Sequence, residues 1–198
     1  MLTLLKPLQV REELLKRGIR IFSAQEFTRL FQTSSTKTKY FLEEQTKQDL
    51  FFRLKKGLYA LKTNPPTEEE IANSLYKPSY ISFEYALAYY NILPEMTYQV
   101  TSATTKPTRI FTIDSKVFNF YKIKKEAFTG YFLFELEHKS ILMAEPEKAL
   151  VDYFYFVSLG KKPYNERLNT NNLKKGKILK YARLFGRKSL TKLVKELI

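Results

Sequence analysis

Residues 23–61 carry the signals of two successive helices followed by a two-stranded ribbon, and this order constrains the fold more than any other feature of the sequence. Ser23 precedes Glu26 by three residues, which is the capping-box spacing at a helix N-terminus. Ser34 and Ser35 lie in a turn rich in N-cap residues, which predicts the start of a second helix. Gly57 separates two apolar runs and supplies the positive φ that a tight hairpin needs. The arrangement predicts a winged helix-turn-helix.

The second of these helices has two chemically different faces. At about 100° per residue, Lys39 and Tyr40 fall on the same side as Thr36. The opposite, mainly apolar side contains Thr38, Phe41, Leu42 and Gln45. Hydroxyl, amine and phenol groups are suited to base edges and phosphates, and phosphate is favoured near a helix start. The DNA-contacting residues predicted on this helix are Ser34, Ser35, Thr36, Lys37, Lys39 and Tyr40.

The ribbon that follows concentrates positive charge at its tip and edge. Arg53, Lys55 and Lys56 occupy the positions where a wing meets phosphate or the minor groove. The Asn-Pro-Pro-Thr run at residues 64–67 marks a linker. We therefore expect the DNA-binding domain to occupy residues 1–62.

Residues 63–198 predict a mixed α/β domain with a basic helical C-terminal tail, so the chain as a whole is expected to be α+β. Thr67 and Ser82 are predicted to cap helices that end near residues 75 and 93, and Pro146 suits the first position of another helix. Strands are expected at residues 80–81, 98–102, 109–113, 117–122, 132–136 and 140–143. The tail is expected to be helical from residue 161, and its last helix should pack through Leu190 and Val194.

Positive charge is concentrated at the two ends of the chain, whose net charge is +14. Residues 1–62 carry +7 (13 Lys/Arg against 6 Asp/Glu), residues 63–160 carry −3 (9 against 12) and residues 161–198 carry +10 (12 against 2). A basic surface attracts polyanions by counterion release, so this segregation favours nucleic acid as the partner. A second phosphate-contacting surface is predicted at Lys174, Lys175, Lys177, Lys180, Arg183, Arg187 and Lys188.

The chain contains no cysteine, which excludes disulfides and thiolate chemistry. No N-terminal apolar run is typical of a signal peptide, and no segment is apolar enough to cross a membrane. We therefore expect a cytoplasmic protein.

The residues suited to catalysis are few, so we expect a protein that is not an enzyme and needs no metal or cofactor. His138 is the only histidine, which excludes a His-based metal site and leaves an exposed imidazole as the favoured interpretation. An alternative interpretation is a metal-dependent nuclease core that consists of Asp114 and Lys116 with Glu135 or Glu137 on a later strand. We favour ordinary charges at a strand end and turn, because single acid-x-Lys matches are common.

A cluster of aromatic residues leaves an RNA-binding module open as a second alternative. Together with the basic tail, such side chains can stack bases, although their spacing on a helix and strands is more typical of a core. The cluster consists of Phe83, Tyr85, Tyr89, Tyr90, Phe118, Phe120 and Tyr121. The acidic residues Glu145, Glu147 and Asp152 also suggest a pair of catalytic acids. A position at a helix N-terminus explains Glu145 and Glu147 without catalysis. Asp152 is expected to form hydrogen bonds within the core.

Four stretches of the sequence resemble the AbiEi-type antitoxins of type IV toxin–antitoxin systems. They are the wing ending KGLY at residues 56–59, the string PSYIS at 78–82 followed by Ala86 and Leu87, the short strands with Thr101 and Arg109, and the string AEPEKALVD at 144–152. The likeness covers residues 20–160.

The resemblance implies a repressor and an antitoxin in one polypeptide. In that family the winged helix binds inverted repeats in the promoter of its own operon. The C-terminal domain counteracts a toxin of the nucleotidyltransferase fold without forming a stable complex. The expected partners are therefore double-stranded promoter DNA and such a toxin.

Overall fold

Helices and β-sheets alternate along the chain, so the fold is mixed α+β. The computed structural model describes residues 5–95, 97–136 and 139–197. The chain divides into two compact units, Met1–Leu75 and Tyr76–Ile198.

The first unit combines four helices with one small antiparallel sheet among its described residues. Its elements are α1 (Pro7–Lys16), β1 (Ile21–Ser23), α2 (Ala24–Leu30), α3 (Ser35–Lys47), β2 (Phe51–Lys55), β3 (Leu58–Leu61) and α4 (Glu68–Leu75). The strand order is β1-β3-β2. The predicted two-stranded ribbon therefore gains a third strand, because β1 pairs with β3 with Ile21 opposite Ala60.

The helix starts predicted in this unit are confirmed by their capping contacts. The Ser23 hydroxyl accepts a hydrogen bond from the Glu26 amide (3.1 Å), and the Ser23 amide donates to the Glu26 carboxylate (2.7 Å). The Ser34 hydroxyl accepts from the Lys37 amide at 3.3 Å. The core of the unit lies between the helices and the sheet and is formed by Val10, Leu14, Phe22, Phe27, Phe41, Leu42, Phe51, Tyr59 and Leu61.

The division between the units follows Leu75, whereas the sequence placed the boundary after residue 62. Two polar contacts explain why α4 belongs to the first unit. The Arg20 guanidinium donates to the Glu70 carboxylate at 3.0 Å, and the Lys55 ammonium donates to the Leu75 carbonyl oxygen at the end of α4. The Pro-Pro run thus lies within the first unit, between β3 and α4.

The second unit is built on a mixed sheet with helices. Its elements are β4 (Ser79–Ile81), α5 (Phe83–Tyr89), β5 (Gln99–Thr104), β6 (Arg109–Ile113), β7 (Lys116–Lys122), β8 (Tyr131–Leu136), β9 (Lys139–Ala144), α6 (Pro146–Ser158), α7 (Lys175–Leu184) and α8 (Lys188–Leu197). The strand order within the described residues is β6-β7-β5-β4-β9-β8. The β5–β7 and β4–β9 pairs are parallel and the others antiparallel.

Two of the predicted helices are shorter than the sequence suggested. α5 ends at Tyr89 rather than near residue 93, because Asn91 adopts a left-handed φ of 55° that ends the helix. Residues 161–174 were predicted as helix and are not helical. Local side-chain hydrogen bonds compete with helix there, since Asn165 accepts from the Arg167 amide (2.9 Å) and Asn169 from the Asn171 amide (3.3 Å).

Candidate nucleic-acid interface

The outer face of α3 presents the predicted polar residues to solvent. Tyr40 leaves 73 % of its surface exposed. All six predicted residues of this helix and its N-cap are exposed: Ser34, Ser35, Thr36, Lys37, Lys39 and Tyr40. The opposite face is buried through Thr38, Phe41, Leu42 and Gln45, which confirms the predicted helical phase.

α3 is held against α2 by packing and by one polar contact. The Phe27 and Phe41 rings stack with centroids 5.7 Å apart. The Thr28 and Thr38 hydroxyl oxygens are 2.9 Å apart in the same interface. The exposed face of α3 is therefore carried by a helix whose inner side is fixed in the core, which is what a preorganised binding surface requires.

The hairpin between β2 and β3 brings two of the three predicted cations to its surface. Arg53 is exposed, and its Nε donates to the Lys55 carbonyl oxygen at 3.3 Å. Lys56 is exposed at the turn, where Gly57 has a φ of 77° as predicted. Lys55 is only half-exposed, because its ammonium binds the carbonyl end of α4. Lys55 thus fastens α4, while Arg53 and Lys56 carry the outward charge of this hairpin.

The second predicted basic surface is largely exposed, and two of its seven cations have partners within the unit. Exposed side chains are those of Lys174, Lys175, Lys177, Lys180, Arg183 and Lys188. Lys177 donates to the Glu145 carboxylate at 2.8 Å, a contact that raises the pKa of the lysine and lowers the pKa of the glutamate. Arg187 donates to the hydroxyl and the carbonyl oxygen of Ser158 at 3.1 and 2.9 Å. These last two cations fasten α7 and α8 to α6 and its N-cap.

Two further cations belong to this surface and were missed from the sequence. Lys192 and Lys195 line an open groove of about 640 Å³. The groove is lined by Arg183, Gly186, Arg187, Lys188, Thr191, Lys192, Lys195 and Glu196. Their signal was present in the sequence: Lys192 and Lys195 lie four and seven residues after Lys188, the spacing of one helical face.

A buried polar cluster lies at the centre of the second unit, around Asp152. The side chains of Lys148 and Asp152 form an ion pair with no exposed surface. The other carboxylate oxygen of Asp152 accepts hydrogen bonds from the Tyr80 hydroxyl (3.0 Å) and the Ser82 hydroxyl (2.8 Å). Burial lowers the pKa of Lys148 and raises that of Asp152, and the partner's charge opposes both shifts. This cluster confirms the expectation that Asp152 forms hydrogen bonds within the core.

The Ser82 hydroxyl was predicted to cap α5, but it is used by Asp152 instead. Thr101, from the neighbouring strand β5, supplies the cap. Its hydroxyl accepts from the Tyr85 amide at 3.2 Å and donates to the Ser82 carbonyl oxygen at 2.7 Å. Residues from three of the four stretches that carry the family resemblance thus meet in one buried network, where they hold β4, β5, α5 and α6 together.

The residues of the alternative nuclease core do not come together. Asp114 lies in the β6–β7 turn with a φ of 45°, at one edge of the sheet, whereas Glu135 lies on β8 at the other edge. Glu137 and His138 lie outside the described residues. Across the residues that the structure describes, no group of three or more His, Asp or Glu side chains is placed to hold a metal ion.

Three of the seven aromatic residues that suggested RNA stacking belong to the core, and three others are half-buried. Phe83, Phe118 and Phe120 are buried, with Phe83 meeting Tyr121 edge-on at 5.2 Å. Tyr89 is the exposed member, at 45 %. Core packing, the favoured interpretation of this spacing, is therefore confirmed for the three phenylalanines.

Among the helices described, none combines the length and apolar character needed to cross a membrane. Comparison with protein-family models gives no match, and comparison with curated proteins gives none either. The chemistry and placement of these residues are therefore what bears on their role.

Proposed function

We propose that this protein is a DNA-binding transcriptional regulator of the AbiEi antitoxin type, with a winged helix in its first unit. The observation that carries the proposal is the exposed face of α3. Thr36, Lys39 and Tyr40 present hydroxyl, ammonium and phenol groups on one side of a helix whose other side is fixed in the core. This is the chemistry by which a recognition helix reads base edges in the major groove.

The remaining parts of the first unit suit the same role. Ser34 and Ser35 lie at the start of α3, where backbone amides and the helix dipole favour a phosphate. Arg53 and Lys56 place positive charge on the β2–β3 hairpin, in the position of a wing. The order α1-β1-α2-α3-β2-β3 supports a winged helix-turn-helix.

The antitoxin part of the proposal rests on the resemblance of residues 20–160 to AbiEi-type antitoxins. The protein would repress its own operon through inverted repeats and counteract a nucleotidyltransferase-like toxin without a stable complex. The second unit would carry the antitoxin activity.

An electrophoretic shift assay tests the DNA-binding part. The probe is the duplex upstream of the protein's own coding sequence, and a shuffled duplex of equal length and composition is the comparison. The wild type should prefer the upstream duplex, and Lys39→Ala with Tyr40→Ala should abolish that preference, because each lost base contact costs about 1–3 kcal/mol of discrimination.

Two further variants complete this design. Arg53→Ala with Lys56→Ala should weaken binding to both duplexes alike, because phosphate contacts carry no sequence information. Lys16→Ala removes an exposed lysine of α1 and serves as the matched control. A wild-type protein that binds the two duplexes equally would refute the repressor role.

Growth rescue tests the antitoxin part separately. A nucleotidyltransferase-like reading frame beside this gene is expected, and its expression should arrest growth. The full chain should restore growth, and so should the Lys39→Ala, Tyr40→Ala variant, because the antitoxin activity is assigned to the second unit. Absence of rescue by either protein would remove the antitoxin assignment while leaving DNA binding intact.

A further inference from the structure

The groove beside α8 collects positive charge from the end of α7, the start of α8 and the exposed side of α8. Arg183 at the end of α7 and Lys188, Lys192 and Lys195 on α8 line one continuous surface with Arg187. Glu196 is the acidic side chain in that lining, and it lies 3.7 Å from Lys192 as a highly exposed pair. Exposed pairs of this kind are worth little, so Lys192 can exchange Glu196 for another anion at small cost.

The three lysines of α8 form a straight row. Lys188, Lys192 and Lys195 are spaced by four and three residues, so they share one helical face and span about 10 Å along the axis. Successive phosphates on one strand of B-DNA are separated by about 3.4 Å along its axis, so the row has the length of about three phosphate-to-phosphate steps.

The row is carried on a fixed helix. Leu190 and Val194, on the inner face of α8, are fully buried. Arg187 joins the start of the helix to Ser158 at the end of α6 through two hydrogen bonds. The charges are therefore held in place before any ligand arrives, which reduces the entropic cost of binding.

The lining favours phosphate oxygens over the faces of unpaired bases. The residues described around the groove include no aromatic ring on which an unpaired base could stack, and no Asn or Gln amide that reads adenine. Ammonium and guanidinium groups, with one threonine hydroxyl, are the donors, and they suit phosphate oxygens. This chemistry fits a duplex backbone recognised without regard to sequence.

We propose that the α7–α8 groove, defined by Arg183, Lys188, Thr191, Lys192 and Lys195, binds the phosphodiester backbone of duplex DNA as a second, sequence-independent contact. The proposal rests on the proposed DNA-binding function for the identity of its ligand. Because both contacts belong to one chain, the groove raises the affinity for any duplex without changing which sequence is preferred.

The test is the salt dependence of binding of the full chain to a random-sequence duplex, followed by fluorescence anisotropy. The plot of log K against log salt has a negative slope. Lys188→Gln, Lys192→Gln and Lys195→Gln together should reduce the magnitude of that slope by about 2–3, because each lost phosphate contact removes about 0.9. Affinity at low salt should fall at least about tenfold. The variant with Lys39→Ala and Tyr40→Ala should differ in slope from the wild type only by the phosphate contacts that α3 itself loses.

Two matched variants make the result specific. Lys77→Gln, Lys116→Gln and Lys122→Gln remove the same charge from exposed positions of the same unit and should change the slope by less than half as much. Replacement of the three α8 lysines by arginine keeps the charge and the helix, and should retain the wild-type slope. A slope of the glutamine variant equal to that of the Lys77, Lys116, Lys122 variant would overturn the assignment.

The experiment separates this inference from the proposed function. A lowered slope in a protein that shows no preference for its upstream duplex would support the groove and refute the repressor role. A preference for that duplex with an unchanged slope would do the reverse. If the glutamine variant loses binding to a folded transfer RNA but keeps its full affinity for duplex DNA, the groove is an RNA site and the proposal is wrong.

Discussion

Replacement of Lys148 by methionine tests whether the buried Asp152 cluster holds the second unit together. Methionine keeps an unbranched apolar side chain of similar volume, so the packing around the lysine stem is largely retained and the ammonium is what is lost. Asp152 would then keep two donors, the hydroxyls of Tyr80 and Ser82, but no compensating charge, at a site with no exposed surface. Removing one partner of a buried ion pair costs about 3–5 kcal/mol.

The loss of stability in Lys148→Met is measured by hydrogen exchange on peptides of α6. This method reports on the second unit by itself, which is needed because the protein has two units. A loss of about 4 kcal/mol should reduce the protection of α6 amides about thousandfold. Lys192→Met is the matched control, since Lys192 and Glu196 have the same i, i+4 spacing on an exposed surface. Its effect should stay within about 0.5 kcal/mol.

The stability that Lys148→Met loses relative to the wild type should depend on pH through the carboxyl group of Asp152. Burial raises the pKa of Asp152, and loss of the lysine removes the charge that opposes this shift. An acid whose pKa is higher in the folded state than in the unfolded state stabilises the fold most below its unfolded pKa, and that stability falls as the pH rises. The deficit of Lys148→Met should therefore grow between about pH 4 and pH 7.

A double-mutant cycle decides whether the pair is the cause. Lys148→Met with Asp152→Asn leaves no buried charge and keeps an oxygen acceptor for Tyr80 or Ser82. Its cost should be smaller than the sum of the two single costs, by up to about 3 kcal/mol. Strictly additive costs, or a Lys148→Met effect as small as that of Lys192→Met, would refute the assignment of a charge-paired cluster.

Three smaller perturbations test other contacts of the fold. Ser23→Ala removes the α2 capping box and should destabilise the first unit by about 1 kcal/mol in urea unfolding; an unchanged midpoint would contradict the capping role. Gly130→Ala should destabilise the second unit more than Gly18→Ala destabilises the first, because both have a positive φ but a Cβ at Gly130 would lie 2.7 Å from a tyrosine ring of α7; equal effects would show that the ring moves freely. Glu145→Gln should remove stability that is present above the ordinary glutamate pKa and lost as the pH falls, because the hydrogen bond from Lys177 lowers the pKa of Glu145; a pH profile identical to that of wild type would count against this contact.

Local signals in the sequence were sufficient to predict most elements and the faces of α3. The Ser23–Glu26 capping box, the Gly57 turn and Pro146 at a helix start depend on neighbours within a few residues, and the structure confirms each one. The helical phase that buries Phe41 and exposes Tyr40 is set by the same local periodicity.

Contacts between residues distant in the chain could not be obtained in this way. The sequence gives Ser82 the character of an N-cap, but the hydroxyl binds a carboxylate 70 residues away and Thr101 caps the helix instead. In the same way Lys55 resembles a wing cation until its ammonium meets the carbonyl end of α4. Each of these polar groups has one role that its local sequence predicts and a distant partner that only the folded chain supplies.

The sequence by itself determined the succession of α2, α3, β2 and β3, the amphipathic phase of α3 and the segregation of positive charge, because these depend on residue type and short spacing. Tertiary structure decided which of these cations have partners within the chain and which lie side by side. It pairs Lys177 with Glu145 and Arg187 with Ser158, and it joins Lys188, Lys192 and Lys195 to Arg183 in one groove. The physical reason is that a charge acts through the groups within a few ångströms of it, and those groups come from distant parts of the chain.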